Sequence, residues 1–597
     1  MSLVDVMASD LGEASPLLKR LASSAGRSMG LGLWIDPIGG RAMRAWLLVV
    51  PMMVAVPSVA NDARPAPVSV DDLIASLKTC GDDVQVSAKP TLMSGFGGGG
   101  FAITTTSPLA QAFFSNGMQL AHAFAHRAAS AAFAEAVRID PACAMCQWGA
   151  AWSDGPTINF TIDPKTQKDA AARVAAAEKL LTAKSPQRER DLITALKLRY
   201  VNGGGKGPGD QAFAKAMDAL AAKYPEDDEI VTIAADAWLI PALLGNVRAN
   251  LPRAVALLEI VLKRNPDYTP AIHFYIHATE ISGFPKRAEA YADRLPALAP
   301  GSSHLIHMPS HTFYWIGRYQ DAADVNLQAV GLGIVDARKE GLTQPDQEWM
   351  LPYHGHNVQF GVGGALMSGD GKDALALSTP LLQAAANFPD QGNMYMQMGI
   401  GTAYFAQGRF GVPADVLALP EPGEKQPYAR LYWRYARGEA EARRGNPAGV
   451  RAELAKLVVP ALGPKADSLA VQARQLGLIA QLVLEGRALM LEKQPVAAAK
   501  AFRKATKLDE AGVMRELSDP PAWWYPTRRS FAAALLMAGK PRAALKQANL
   551  VLARRPNDPV TLALRADAEA VLGMTAEATR DRAAAERGWR GTKAELS

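Results

Sequence analysis

The feature that most limits how this chain can fold is a paired-helix pattern that comes round at a fixed distance. Ala254 to Leu262 closes at Asn265-Pro266, and Arg287 to Leu298 closes at Ala299-Pro300, which sets the two prolines 34 positions apart. Gly317-Arg318-Tyr319 with Ala322-Ala323 opens the motif again, and Gly539-Lys540-Pro541 with Ala543-Ala544 and Pro556 repeats it. The small residues let two helices of a pair approach closely, and the proline stops the second helix before the next pair begins. From about Ser107 onward Ala, Leu and Arg dominate, apolar residues recur at three- and four-residue spacing, and no stretch shows sustained β alternation. One pair cannot bury its apolar face alone, so successive pairs must stack.

A period near 34 with a Gly/Tyr turn, Ala-Ala on the second helix and a closing Pro is the tetratricopeptide (TPR) signature. The expected fold is therefore all-α: a TPR-like α-α solenoid, a right-handed superhelix with a concave surface. Irregular insertions at Val201 to Gly209 and Gly331 to Met350 break the period. The chain divides into an upstream extension plus signal peptide (1–60), a Gly/Pro-rich lead-in (61–106), a His-bearing TPR-like module (107–361) and a C-terminal TPR-like solenoid (362–597). Gly97 to Gly100 lacks the Gly-Lys-Ser/Thr ending of a phosphate loop, so that run is expected to be a flexible or loop-forming lead-in.

Arg41 and Arg44 precede an apolar stretch from Ala45 to Ala60, with Ser58 and Ala60 at the small-residue positions of a cleavage site. This is a signal-peptide pattern, too short and too broken by proline for a membrane span. Met43 is the natural start for it, and cleavage near Ala60 predicts a periplasmic or secreted protein with no membrane span in the mature form. Lys+Arg 64 against Asp+Glu 58 gives a net charge of +6, a weak bias over this length. No basic run interleaves with aromatics, so nucleic acid is not an expected partner.

The nine histidines all lie between His122 and His356. His122 and His126 stand four apart and are expected on one helix face; His273 and His277 repeat that spacing, with Glu280 three residues on. His304, His307 and His311 cross into the next repeat, and His354 and His356 flank Gly355 in an expected loop. Imidazole pairs at this spacing offer two neutral nitrogen ligands to one ion, and the His-x-x-Glu spacing adds a carboxylate. The expected ligands are His126, His273, His277, His307 and His311, with Glu280 and His304 as catalytic candidates. Imidazole-rich, thiolate-poor sites suit a divalent transition metal: copper, zinc or iron.

Several of these stretches carry a resemblance. Phe113-Phe114, Gly117, His126, the run Asp140-Pro141-Ala142-Cys143-Ala144-Met145-Cys146-Gln147-Trp148-Gly149, and Gly155-Pro156-Thr157-Ile158-Asn159 resemble the opening of a bacterial family of exported tetratricopeptide proteins. Tyr275-Ile276-His277-Ala278-Thr279-Glu280, His304-Leu305-Ile306-His307-Met308-Pro309-Ser310-His311 and His356-Asn357 are similar to its later signatures. The resemblance covers about 107–361 and implies the fold and the site positions without naming a reaction. Where the family pattern has an aromatic after His356-Asn357 and a further His, this chain has Val358-Gln359-Phe360.

Cys143 and Cys146 form a CxxC followed by Gln147 rather than the His of a c-type haem site. A lone CxxC is a weak zinc motif, and a redox role would draw on the helix start after Asp140-Pro141. The expected state is a disulfide, either Cys143–Cys146 or Cys80 with one of them, leaving one cysteine over. Two functions follow. One is a metal-dependent enzyme, oxidative or hydrolytic, acting on a small organic or peptide-like substrate. The other is a non-enzymatic scaffold gripping a peptide or protein partner on the concave TPR surface, and the His-free repeats from 362 to 597 suit docking under either.

Overall fold

The computed structural model describes residues 90–597 apart from 202–207, 244–247, 340, 345, 386, 388–392, 464–465, 467, 513, 515–520, 593–595 and 597. The upstream extension, the signal peptide and Cys80 lie outside the described residues. The fold is an all-α, TPR-like helical solenoid. Helices follow one another through short connections, and each packs chiefly on its neighbours in the chain. Proline at the first or second helical position starts many of them, including Pro108–His122, Leu251–Arg264, Thr269–Ile281, Pro309–Ile316 and Pro541–Leu552. The amide that proline lacks has no partner in the first turn anyway, and its fixed φ suits the helix. Small residues do what their spacing implied: the Phe133 ring lies against Gly117 and Gly149, where a Cβ would collide with it.

Three local features differ from the sequence expectation. The expected helix from Arg287 to Leu298 is broken into Pro285–Ala288, Glu289–Ala292 and Leu295–Leu298. Pro296 has no N–H to donate, and its ring clashes with the carbonyl four residues back. The expected insertion at 331 begins instead as a continuation of the Tyr319–Lys339 helix. The glycine run of the lead-in has no regular structure, yet it is tied to the repeats. Gly98 N–H donates to Thr269 Oγ1 at 2.6 Å, Gly100 N–H to Glu229 Oε2 at 3.0 Å and Gly301 N–H to Gly95 O at 2.7 Å.

The C-terminal repeats return onto the middle of the chain. Tyr314 donates its hydroxyl to Trp524 O at 3.3 Å, and Arg590 N–H donates to Ser368 O at 2.8 Å. Gly317 (φ 83°) caps the Pro309–Ile316 helix in the left-handed region, and a Cβ there would run into the Pro556 carbonyl. Gly317→Ala should therefore lower the urea midpoint, through a stability loss of about 1 kcal/mol from the left-handed backbone alone and a further loss from the displaced contact. A midpoint equal to wild type would show that this junction contributes no stability.

Candidate metal centre

Four elements bring the histidines together. The Thr269–Ile281 helix presents His273, His277 and, one turn on, Glu280. Ser302 caps the short Ser303–His307 helix by accepting from Leu305 N–H at 3.1 Å, which fixes His304 and His307. Met308-Pro309 then starts the Pro309–Ile316 helix, carrying His311 one turn beyond His307. The expected loop at His354 and His356 is in fact the first turn of the His354–Ser368 helix.

The ligand atoms of His273, His277 and His304 lie within 4.8 Å of one another, as do those of His307, His311 and His356, and those of His277, Glu280 and His311. Inside the first set, His273 Nε2 and His304 Nε2 are 3.1 Å apart. Inside the second, His307 Nε2 and His311 Nε2 are 2.9 Å apart. The opposite edges of three rings are already committed. His273 Nδ1 donates to the His122 carbonyl at 2.7 Å. His307 Nδ1 donates to Asn326 Oδ1 at 2.6 Å, and Asn326 is oriented by its own Nδ2–H···O bond to Ala322 at 2.7 Å. His311 Nδ1 donates to Glu280 Oε2 at 2.8 Å. Carbonyl, amide and carboxylate partners of this kind fix a tautomer and leave Nε2 as a lone-pair ligand.

Burial keeps His273, His277, His304, His307 and His356 neutral. It pushes His273 down to about 3, against the opposing His122 carbonyl bond. His277, His304 and His307 are held well below their ordinary value by burial and then by neighbouring imidazoles. Burial, with His311 adding to it, takes His356 down to about 3. Neutral imidazole is the form that binds a metal. Glu280 accepts from both His311 and Trp315, whose Nε1 lies 2.7 Å from Oε1. Its carboxylate thus orients His311, and the same group lines a cleft of about 870 Å³ with Trp315 on one side and Tyr525, Asp509 and Arg555 on the other.

Not every expected ligand arrives. His122 and His126 do not share a helix: the Pro108–His122 helix stops, Phe124 takes a left-handed backbone (φ 56°), and a new helix starts at His126. His122 Nε2 meets Glu229 Oε1 at 2.5 Å instead. Burial works to raise the Glu229 carboxyl, but His122, Tyr268 and the Gly100 amide outweigh it and leave it below its ordinary range. His126 joins none of the three sets; its Nε2 is 3.5 Å from the Tyr353 hydroxyl, and burial pushes it down to about 4. His304, expected as catalytic, lies in one of the three sets that could hold a metal ion, with its Nδ1 buried and unpartnered.

The sequence reading also missed residues. His356 is a ligand candidate, and Phe360, where the family pattern differs, packs on His307, His311 and His356 at ring-centroid distances of 5.0, 4.4 and 5.0 Å. Phe124 stacks on His304 at 5.0 Å and Tyr353 lies 4.3 Å from it. Asn326 and Glu229 carried no signal, because their partners are distant in sequence. Cys143 and Cys146 form a disulfide at the start of the Ala144–Ser153 helix. The unfolded, unreduced chain should therefore titrate one thiol, from Cys80, and three after reduction; three before reduction would refute the bridge.

Fold and site together define a helical-repeat protein with a buried cluster of histidines. No family profile matches the chain, and no curated protein matches it. Among solved structures it is similar to the human IFIT1 dimer with m7Gppp-AAAA, at 15% identity over 74% of this chain and 90% of that one, with a TM-score of 0.29. It is also similar to the P58(IPK) TPR domain (13%, covering 64% and 95%, TM-score 0.18) and to the APC/C hetero-tetramer Cut9-Hcn1 (11%, covering 81% and 94%, TM-score 0.21). No ligand is carried over from any of them. Among the described residues, no helix is long and apolar enough to cross a membrane.

Proposed function

We propose that this chain is an exported, metal-dependent enzyme of the family it resembles, with a divalent transition metal (copper, zinc or iron) held by the histidine cluster. The observation that carries this reading is the face-to-face approach of His307 Nε2 and His311 Nε2 at 2.9 Å, with both Nδ1 atoms engaged as donors elsewhere. Two lone pairs so placed repel unless a cation lies between them. Two imidazole nitrogens bound to one ion at about 2.0–2.1 Å each come to roughly 3 Å apart. An extra proton on His311 is the other way to satisfy the contact, and metal binding would displace it.

When bound, such an ion supplies Lewis acidity or redox chemistry at an open coordination position. The chain's own residues do the rest. His273, His277, His307 and His311 offer ligands, Asn326 and Glu280 hold the ring tautomers, and the Phe124, Phe360 and Tyr353 rings pack against the cluster. A small organic or peptide-like substrate would enter by the cleft at Glu280 and Trp315. The intrachain disulfide is in keeping with an oxidising compartment outside the cytoplasm.

Elemental analysis of the full chain, alongside His277→Ala and His311→Ala, tests the reading. Stoichiometric metal in wild type, lost in both variants, supports it. A folded wild-type protein that binds no copper, zinc or iron on titration overturns it. The cleft favours a second reading, a scaffold that takes a peptide or protein partner between the middle and C-terminal repeats. Under that reading the metal-free protein binds its partner as well as the loaded one.

A further inference from the structure

We infer that the cluster is a two-ion centre, with one transition-metal ion on His273, His277 and His304 and a second on His307, His311 and His356. This rests on the metal-binding reading above and extends it. Six imidazoles converge where a single tetrahedral ion needs four ligands at most and a catalytic one takes three with an open position. The six divide by geometry: each set of three lies within 4.8 Å, and each contains one close Nε2 pair, at 3.1 and 2.9 Å. Each close pair is also backed from behind, by the His122 carbonyl in the first set and by Asn326 and Glu280 in the second.

The sets adjoin through His277, Glu280 and His311, whose ligand atoms again lie within 4.8 Å. The two sets border different cavities, the first directly and the second through Glu280. His304 faces a cavity of about 80 Å³ lined also by Phe124, His126, Tyr353 and His354, too small for a peptide side chain but sufficient for a few water-sized molecules. In the second set His311 donates to Glu280, which lines the cleft of about 870 Å³. Two cations among neutral imidazoles need negative charge nearby. Glu280 supplies it at the shared edge, and a hydroxide or other small anion fits the cavity at His304.

The test is a titration of the metal-free full chain with cobalt(II), followed by visible absorption and by elemental analysis after dialysis. Two ions per chain are expected, with His304→Ala and His356→Ala each retaining one. Copper(II)-loaded wild type, which needs no variant to fold, should show the half-field electron-paramagnetic signal of two neighbouring spins. Saturation at one ion per chain with no half-field signal overturns the two-ion assignment and leaves the metal-binding reading standing. Loss of both ions together in either variant also overturns the division into two sets. No bound ion at all removes both readings.

Discussion

Acidifying the metal-free protein from pH 7.5 to pH 5 is expected to remove most of its stability against urea. Burial holds His273 and His356 near 3, His126 and His354 near 4, and His277, His304 and His307 well below the ordinary 6.5. Once unfolded, the same rings take up protons near 6.5. Between 6.5 and about 3 the unfolded chain therefore binds more protons than the folded one, and stability falls as pH falls through that window. Above 6.5 these groups contribute no pH dependence. At pH 5 one such ring costs about 2 kcal/mol, from 1.5 pH units at about 1.4 kcal/mol each.

Asp236, Asp373 and Asp509, pushed up to about 6 by burial, work in the opposite direction because the folded state protonates them first. They are fewer than the histidines, so the net effect is acid lability. Urea midpoints at pH 7.5, 6.5 and 5 check this, and a flat profile would contradict neutral buried imidazoles. Zinc present during the titration should move the loss of stability to lower pH, since metal and proton compete for the same lone pairs.

Glu280→Gln is expected to weaken zinc binding by about 10–100-fold while leaving helix content unchanged. The carboxylate accepts from His311 and Trp315 through separate oxygens, and glutamine has only one acceptor oxygen. If that oxygen keeps Trp315, the amide NH2 faces His311 Nδ1 and moves the ring proton to Nε2, where the lone pair is needed. Competition against a chromogenic chelator measures the affinity, and the 15N chemical shifts of the His311 ring in the metal-free protein report the tautomer directly. Unchanged affinity and unchanged His311 15N shifts would show that Glu280 does not orient His311.

Much of the scaffold was legible in the residues, because helical periodicity, close-packing alanines and glycines, and punctuating prolines are local signals. The His273, His277 and Glu280 row was legible for the same reason: a spacing of four and three places side chains on one helical face. The same argument failed for His122 and His126. Nothing in Ala123-Phe124-Ala125 marks a helix end, and the left-handed turn at Phe124 accompanies its packing against His304 and Tyr353 from distant repeats. His354 and His356 were misplaced because Gly355 suggests a loop, whereas the first turn of a helix accommodates it.

All nine histidines lie within residues 122–356, and six of them, His273, His277, His304, His307, His311 and His356, meet in the buried cluster. By itself, the sequence determined the helices, their stacking and which histidines share a turn, since these depend on contacts within about one turn or one repeat. Tertiary structure alone decided which Nε2 atoms meet, which donors hold the opposite ring edges, and that the C-terminal repeats return to make a cleft at Glu280. Those outcomes depend on register between elements tens to hundreds of residues apart, and no local pattern encodes the 3.1 Å between His273 Nε2 and His304 Nε2, 31 residues apart in the chain.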